Sequence, residues 1–252
     1  MYLSQIFKYL KYKKYNIKMI MLFDVDVTLV ESGQIIKDNV LNLLKNLYHK
    51  GYILGLVGGG RYEIICKQIR DKHIFDYIFA ECGSVVYYKD KLININNICD
   101  HPQYYLLDSI IKICLKFISQ LPHTIKGQCI DIRNGMIYVS LIGIQATLEE
   151  RRNFIYNDDL YQYRKQLFEI VNDEVKNTNF EVTYGGSVGI SINVKEWNKR
   201  SIVKYLPDTI IHYFGDKYTK DGNDYPLLTH PRIIPHCVDN SYQTCDIISH
   251  FL

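Results

Sequence analysis

Asp24 and Asp26, in the stretch Asp24-Val-Asp26-Val-Thr28 at the end of a short apolar run, carry the strongest chemical signal in this sequence. Two carboxylates two residues apart, where the chain leaves a strand, can both approach one ligand because strict side-chain alternation ends with the strand. One can attack phosphorus and become an aspartyl phosphate, while the other carries the proton of the acceptor or leaving oxygen. The negative charge on nucleophile and phosphate then has to be offset by a hard dication on oxygen ligands and by a nearby ammonium. Asp216, following Gly215, is the candidate third oxygen ligand, and Lys199 is the candidate ammonium. The run Gly58-Gly59-Gly60 ahead of Arg61 could turn backbone N–H groups toward phosphate oxygens. Each feature alone has a plainer role: a D-x-D is often a surface pair, three glycines a tight turn, a lysine solvated and an aspartate a turn initiator. The ordered set, closed by Gly222-Asn223-Asp224, is what points to magnesium-dependent phosphoryl transfer.

Such residues need strands to hold them. Ile20 to Val25 is an apolar run ending at an acid, and Val40, Leu41, Leu43, Leu44, Leu47 and Tyr48 recur at helical spacing after Asp38-Asn39, which reads as a cap. Tyr52 to Val57 predicts a second strand that breaks at the glycines, a helix runs through about Arg70, and Tyr77 to Ala80 predicts a third strand. Apolar strands alternating with helices imply a parallel sheet covered on both faces, whose ligands bind beyond the strands' carboxyl ends. After about Tyr88 the pattern changes. A helix is predicted over Tyr104 to Ser119, then Gln128 to Ile132 and Met136 to Ile142 flank Asn134-Gly135, a strong hairpin signal. Further helix from Leu148 to about Lys176 and two strands around Gly185-Gly186 complete this block, and Thr209 to Phe214 returns to the buried-strand style. The expected division is a basic extension at 1–19, a catalytic core at 20–88 and 196–252, and an inserted block at 89–195.

At 252 residues the chain can bury one large core or two modest ones. Hydrophobic residues at 47% and charged residues at 23% describe a soluble globular protein, and no apolar run approaches the roughly 20 residues a membrane span needs. The net charge of +3 is too small to argue for a nucleic-acid partner. Its source is local, since Lys8, Lys11, Lys13, Lys14 and Lys18 stand in the first 19 residues with no acid among them. That start fits poorly as a signal or transit peptide and reads as a solvated extension. Seven scattered cysteines without C-x-x-C spacing exclude a disulfide framework and a zinc knuckle, which predicts a reducing compartment and a cytoplasmic location.

The same segments resemble the eukaryotic-type phosphomannomutases of the haloacid-dehalogenase-like superfamily. They are LFDVDVTL at 22–29, LVGGG at 56–60, FDYIFAECGS at 75–84, IDIRNGMIYVS at 130–140, TLEERRNF at 147–154, EWNKR at 196–200 and YFGDKYTKDGND at 213–224. The resemblance implies a Rossmann-like α/β core with an inserted α/β cap containing an antiparallel sheet, a Mg2+ cofactor and a homodimer formed through the cap. It also implies interconversion of mannose 6-phosphate and mannose 1-phosphate for GDP-mannose synthesis, with a hexose bisphosphate activator. Carried over residue by residue, Asp24 is nucleophile and metal ligand, Asp26 is general acid/base with its backbone carbonyl on the metal, and Asp216 is the other protein ligand. Lys199 and Asp224 would support the phosphate and the metal's surroundings, with Asn223 and Thr28 beside them. Arg133 matches a substrate-phosphate arginine, and Lys126 stands where another arginine is usual, keeping the charge but losing the bidentate fork.

The departures fall on the sugar-phosphate grip. Gly33 and Ile144 stand where the family has arginines, and Gly189 and Ser191 where a Ser and an Asp read sugar hydroxyls. Gly60-Arg61 replaces Ser-Asp, Cys82 replaces Asn, Val27 replaces Gly, and His230 replaces the Asp of a second cation site. The residues therefore leave three readings open: a phosphohexomutase, a small-molecule phosphatase using water as acceptor, and a catalytically idle relative that binds.

Overall fold

The computed structural model describes residues 19–252, so the basic extension expected at 1–19 lies, apart from Met19, outside the described residues. Four hydrophobic residues make the first strand, β1 (Ile20–Phe23), and every one is buried. Ile20 and Leu22 face one apolar cluster while Met21 and Phe23 face another, as side-chain alternation requires of a strand covered on both sides. Helix α1 (Asp38–His49) follows, burying Val40, Leu41, Leu44 and Leu47. Asp38 does not cap it: the cap position is Lys37 without a side-chain bond, and Asp38 instead meets the Arg70 guanidinium at 2.6 Å. Next come β2 (Ile53–Val57), α2 (Tyr62–Ile69) and β3 (Tyr77–Ala80). The antiparallel pair β4 (Val85–Tyr88) and β5 (Lys91–Ile95) then extends the same sheet. The core sheet thus continues through Ile95, past the boundary expected at residue 88.

The late chain closes this sheet with β10 (Ile211–Gly215), helix α6 (Tyr225–Leu228), β11 (Ile233–Cys237) and α7 (Ser241–Ser249). Its order is β11-β10-β1-β2-β3-β4-β5, with the first five strands parallel.

Between the two halves lies a separate antiparallel sheet with its own apolar cluster. It is entered by α3 (Leu107–Ile118), and the strands are β6 (Ile130–Ile132), β7 (Met136–Ser140), β8 (Phe180–Gly185) and β9 (Gly189–Val194), ordered β6-β7-β9-β8. The hairpin at Asn134-Gly135 forms as the sequence predicts, and its tip packs into the core. A Cβ on Gly135 would lie 2.0 Å from Ser84 Cβ. The long helix expected from Leu148 to Lys176 is two, α4 (Leu148–Tyr161) and α5 (Tyr163–Val175), broken at Gln162 with φ 58°. Asp158 makes the break stable by accepting the Arg164 backbone N–H at 2.8 Å and its Nε at 2.5 Å.

Candidate active site

The backbone N–H of Asp24 donates to Phe214 O at 2.8 Å, so the parallel neighbour strand fixes where the chain leaves the sheet. A tight turn follows, in which the N–H groups of Leu29 and Val30 both donate to Val25 O. Val27 sits at its apex with φ 70°, a left-handed conformation that a β-branched residue adopts only under strain. Gly215 lets β10 end beside this turn, because a Cβ there would lie 2.7 Å from Asp224 Cγ.

Carboxylate oxygens of Asp24, Asp216 and Asp224 lie within 4.8 Å of one another. Lys199, wholly buried at the start of a 3-10 turn (Lys199–Tyr205), places Nζ 2.5 Å from Asp24 Oδ1 and 2.6 Å from Asp224 Oδ1. Tyr213 Oη donates to Asp224, the Lys217 backbone N–H donates to Asp224 Oδ2 at 2.9 Å, and Lys217 Nζ pairs with Asp216. Burial pushes the Asp24 carboxyl well up; Lys199 opposes this, while Asp224 and Asp216 add to it. Asp216 is raised too, by burial first, with Lys217 opposing and Asp224 contributing. Burial would pull Lys199 down, but Asp224 and Asp24 outweigh it and hold the ammonium charged. Three crowded, desolvated carboxylates are a donor set that a hard dication would satisfy.

Asp26 is not in this group. Its Oδ1 accepts from the Gly33 N–H at 3.1 Å and from Gln68 Nε2 at 2.9 Å, so the turn aims it toward α2. Asp224, expected in a supporting role, takes the third place in the cluster. Gly33, where an arginine was expected, has φ 75° and uses its N–H on Asp26.

Asp24, Asp26, Asp216 and Asn223 line a cavity of about 620 Å³ whose opposite wall comes from the four-stranded sheet and α4. Arg133 lies there, its guanidinium 4.8 Å from the Tyr138 ring centroid, Nε 2.7 Å from Asp131 Oδ2 and an Nη 2.6 Å from Gly59 O. Gly59 and Gly60 form part of the wall, but Gly58 does not, and its N–H is spent on Phe79 O in the sheet. Thr28 is buried with its hydroxyl unpartnered among the described residues, while its carbonyl accepts from Thr244 Oγ1. Asn223 Nδ2 faces Cys82 Sγ at 3.9 Å.

Lys126 does not reach the cavity. Its Nζ pairs with Glu150 at 2.8 Å, the acid that completes the capping box of α4 with Thr147. Arg151, one residue further along α4, does line the cavity, its guanidinium held by Ala146 O at 3.0 Å and Ile144 O at 2.9 Å. It stands inside the TLEERRNF segment, and its signal was an arginine in the first turn of a capped helix; sequence reasoning passed over it. Gly189 also has a structural cause: a Cβ there would lie 2.2 Å from Val139 O and 2.8 Å from Tyr138 Oη. Tyr138 therefore occupies the space where a sugar-reading side chain at 189 would project, and Ser191 remains on the wall.

A family model described as "Eukaryotic phosphomannomutase" matches residues 40–252. Phosphomannomutase 1 of Mus musculus is 34% identical over 236 residues, covering 90% of this chain and 89% of its own length. Phosphomannomutase of Dendrobium officinale is 33% identical, covering 93% and 94%. Among solved structures, the C-terminal domain of Candida albicans trehalose-6-phosphate phosphatase superposes with TM-score 0.62 at 15% identity, over 96% of this chain and 95% of that one. An IMP-bound Plasmodium falciparum IMP-nucleotidase superposes at 0.65 and 16% identity, over 92% and 67%, and both likenesses concern the fold alone.

Proposed function

The chain belongs to the eukaryotic phosphomannomutase family, and on that premise we propose that it interconverts mannose 6-phosphate and mannose 1-phosphate through a phosphate carried on Asp24. The observation that carries the reading is that Asp24 and Asp216, on the floor of a cavity walled by Arg133 and Arg151, meet the buried Asp224 and Lys199 just beneath it. The family implies a divalent metal, and the carboxylate set fits one. We assign it as Mg2+, which Asp24, Asp216 and Asp224 would hold with the backbone carbonyl of Asp26. When bound, it supplies positive charge against the phosphoryl oxygens and the nucleophile.

Lys199 occupies Asp24 Oδ1, which orients the carboxylate and leaves Oδ2 to attack phosphorus. Asp26 is fixed through Oδ1 by Gly33 and Gln68, and its Oδ2 gives a proton to the leaving oxygen and later takes one from the attacking sugar hydroxyl. Arg133 and Arg151 hold the phosphate that is not being transferred, with Gly59 and Gly60 beside them. A hexose bisphosphate loads Asp24, and the product supplies intermediates for GDP-mannose synthesis in the cytoplasm. Exposed Tyr156, Leu160 and Tyr161 on α4 support a homodimer through the cap.

A second reading, hydrolysis of small phosphate esters, draws support from Ile144, Gly189 and Ser191, which thin the sugar's hold. Mannose 1-phosphate with a hexose bisphosphate activator, scored in parallel for sugar isomer and free phosphate, decides between them. Isomer without stoichiometric phosphate upholds the mutase. Phosphate without isomer upholds the phosphatase, and neither, from a folded metal-binding protein, upholds a binding protein.

A further inference from the structure

Among the described residues, one salt bridge joins the seven-stranded sheet's loops to the four-stranded sheet, and it uses a residue that departs from the family pattern. Arg61, ahead of α2, places an Nη 2.7 Å from Asp131 Oδ1 and 3.1 Å from Ile132 O, both on β6. Asp131 is buried at 8% exposure, and its other oxygen holds Arg133 Nε at 2.7 Å, while Arg133 crosses back to Gly59 O at 2.6 Å. Two arginines, one from each side of the cavity, thus grip a single carboxylate and close a ring over the glycine turn. Burial would raise the Asp131 carboxyl, but Arg61 and Arg133 more than offset it and hold it below its usual range.

The consequence lies in the acceptor. Transfer to a sugar and hydrolysis both break the Asp24–phosphorus bond and both put the attacking oxygen's proton on Asp26. They differ only in which oxygen attacks, and so in whether bulk water enters while Asp24 is phosphorylated. We infer that Arg61 is a positioning residue that sets this choice: acting through Asp131, it keeps the cap seated on the glycine turn and water out of the cavity, which compensates for the thinned sugar contacts. Arg61 does so without contacting the substrate. Arg61 lines the cavity together with Arg133 and Arg151, but its side chain is 43% exposed and its Nη is taken up by Asp131 and Ile132, while Arg133 is 13% exposed. The inference rests on the mutase reading for its kinetic arm and stands apart from that reading for its structural one.

The test compares wild type with Arg61→Ala, Arg61→Asp and Arg61→Lys, full chain with magnesium. Two quantities are read: free phosphate released per isomer formed, and amide hydrogen exchange at residues 58–61 and 130–140. The expected result for Arg61→Ala is about a fivefold rise in the phosphate-to-isomer ratio, the scale of one half-exposed ion pair, with the KM for hexose phosphate changed less than about twofold. Arg61→Asp, facing Asp131 with like charge, exceeds this, and Arg61→Lys falls between. Exchange rises at both segments and stays unchanged in β1 and β10. A raised KM at constant ratio would overturn the inference by making Arg61 a direct phosphate ligand, and unchanged ratio with unchanged exchange would leave it no role. If wild type forms no isomer, the mutase reading fails, and the exchange arm still decides the seating role in either direction.

Discussion

The floor of the cavity and the wall opposite it obey different constraints. At the floor, Asp24 and, buried beneath it, Asp224 and Lys199 are at most 7% exposed and joined by contacts of 2.5–2.6 Å, so moving any one strands a buried charge. On the wall stand Ile144 and Ser191, and its arginines are tied to protein: Arg61 to Asp131, Arg133 to Asp131 and Gly59, Arg151 to two carbonyls. The difference teaches that the chemistry of moving phosphate is held by charges that need one another, while acceptor choice is held by contacts that can be exchanged singly.

That contrast is broken most sharply from the floor. Asp24→Asn is expected to lower kcat by roughly a thousandfold or more, whichever acceptor is assayed, because it removes the proposed nucleophile. Arg133→Ala, on the wall, should lose one charge-assisted phosphate grip, about 1.5–3 kcal/mol or roughly 10- to 100-fold in kcat/KM for the sugar phosphate. Phosphorylation of Asp24 by a small acyl phosphate should change far less. Equal losses in both assays would erase the distinction between floor and wall.

Acid should separate the two sheets as well. His212 on β10 stacks on His236 of β11, ring nitrogens 2.8 Å apart, and burial lowers both to about 4, with His236 adding to the effect on His212. The unfolded chain holds these imidazoles near 6.5, so between about 6.5 and 4 it binds protons that the native core excludes. Their contribution is full above pH 6.5 and is lost as pH falls toward 4, on the order of 3 kcal/mol for each imidazole. Denaturant midpoints from pH 7 to 5 should fall, and less so in His212→Asn; a flat profile would contradict the assignment.

Two smaller effects sharpen the picture. Val27→Gly should raise stability by about 1 kcal/mol in thermal unfolding, since glycine accepts φ 70° without strain. Lys126→Ala should change stability by less than about 1 kcal/mol and leave the KM for sugar phosphate unaltered, because Lys126 serves Glu150 and not the cavity. A large rise in KM would return Lys126 to the wall.

The floor was legible in the sequence because strand ends announce themselves: apolar runs stop at Asp24 and at Gly215-Asp216, and the strand positions follow. Asp224 joins the carboxylate cluster while the Asp26 side chain turns toward α2, because a turn of a few residues decides where each carboxylate points, and apolar periodicity carries no information about turns. Gly58 looked like part of a phosphate cradle, yet the parallel sheet claims its N–H. The wall was harder to read. Whether Lys126 or Arg151 reaches the cavity depends on a capping box that draws Glu150 toward one and leaves the other free to turn inward. The edge strand β5 escaped notice because Lys91–Ile95 alternates weakly and leaves Leu92, Ile93 and Ile95 half exposed.

The central claim, that phosphate passes through Asp24 to a sugar, is tested most directly by trapping it. The protein is incubated with magnesium and a hexose bisphosphate, quenched in acid and mapped by peptide mass spectrometry, with a parallel chase of hexose monophosphate before the quench. The account predicts one hydroxylamine-labile phosphate on the peptide carrying Asp24, discharged by the chase into hexose bisphosphate. No phosphate on that peptide, or the same labelling in Asp24→Asn, would contradict it.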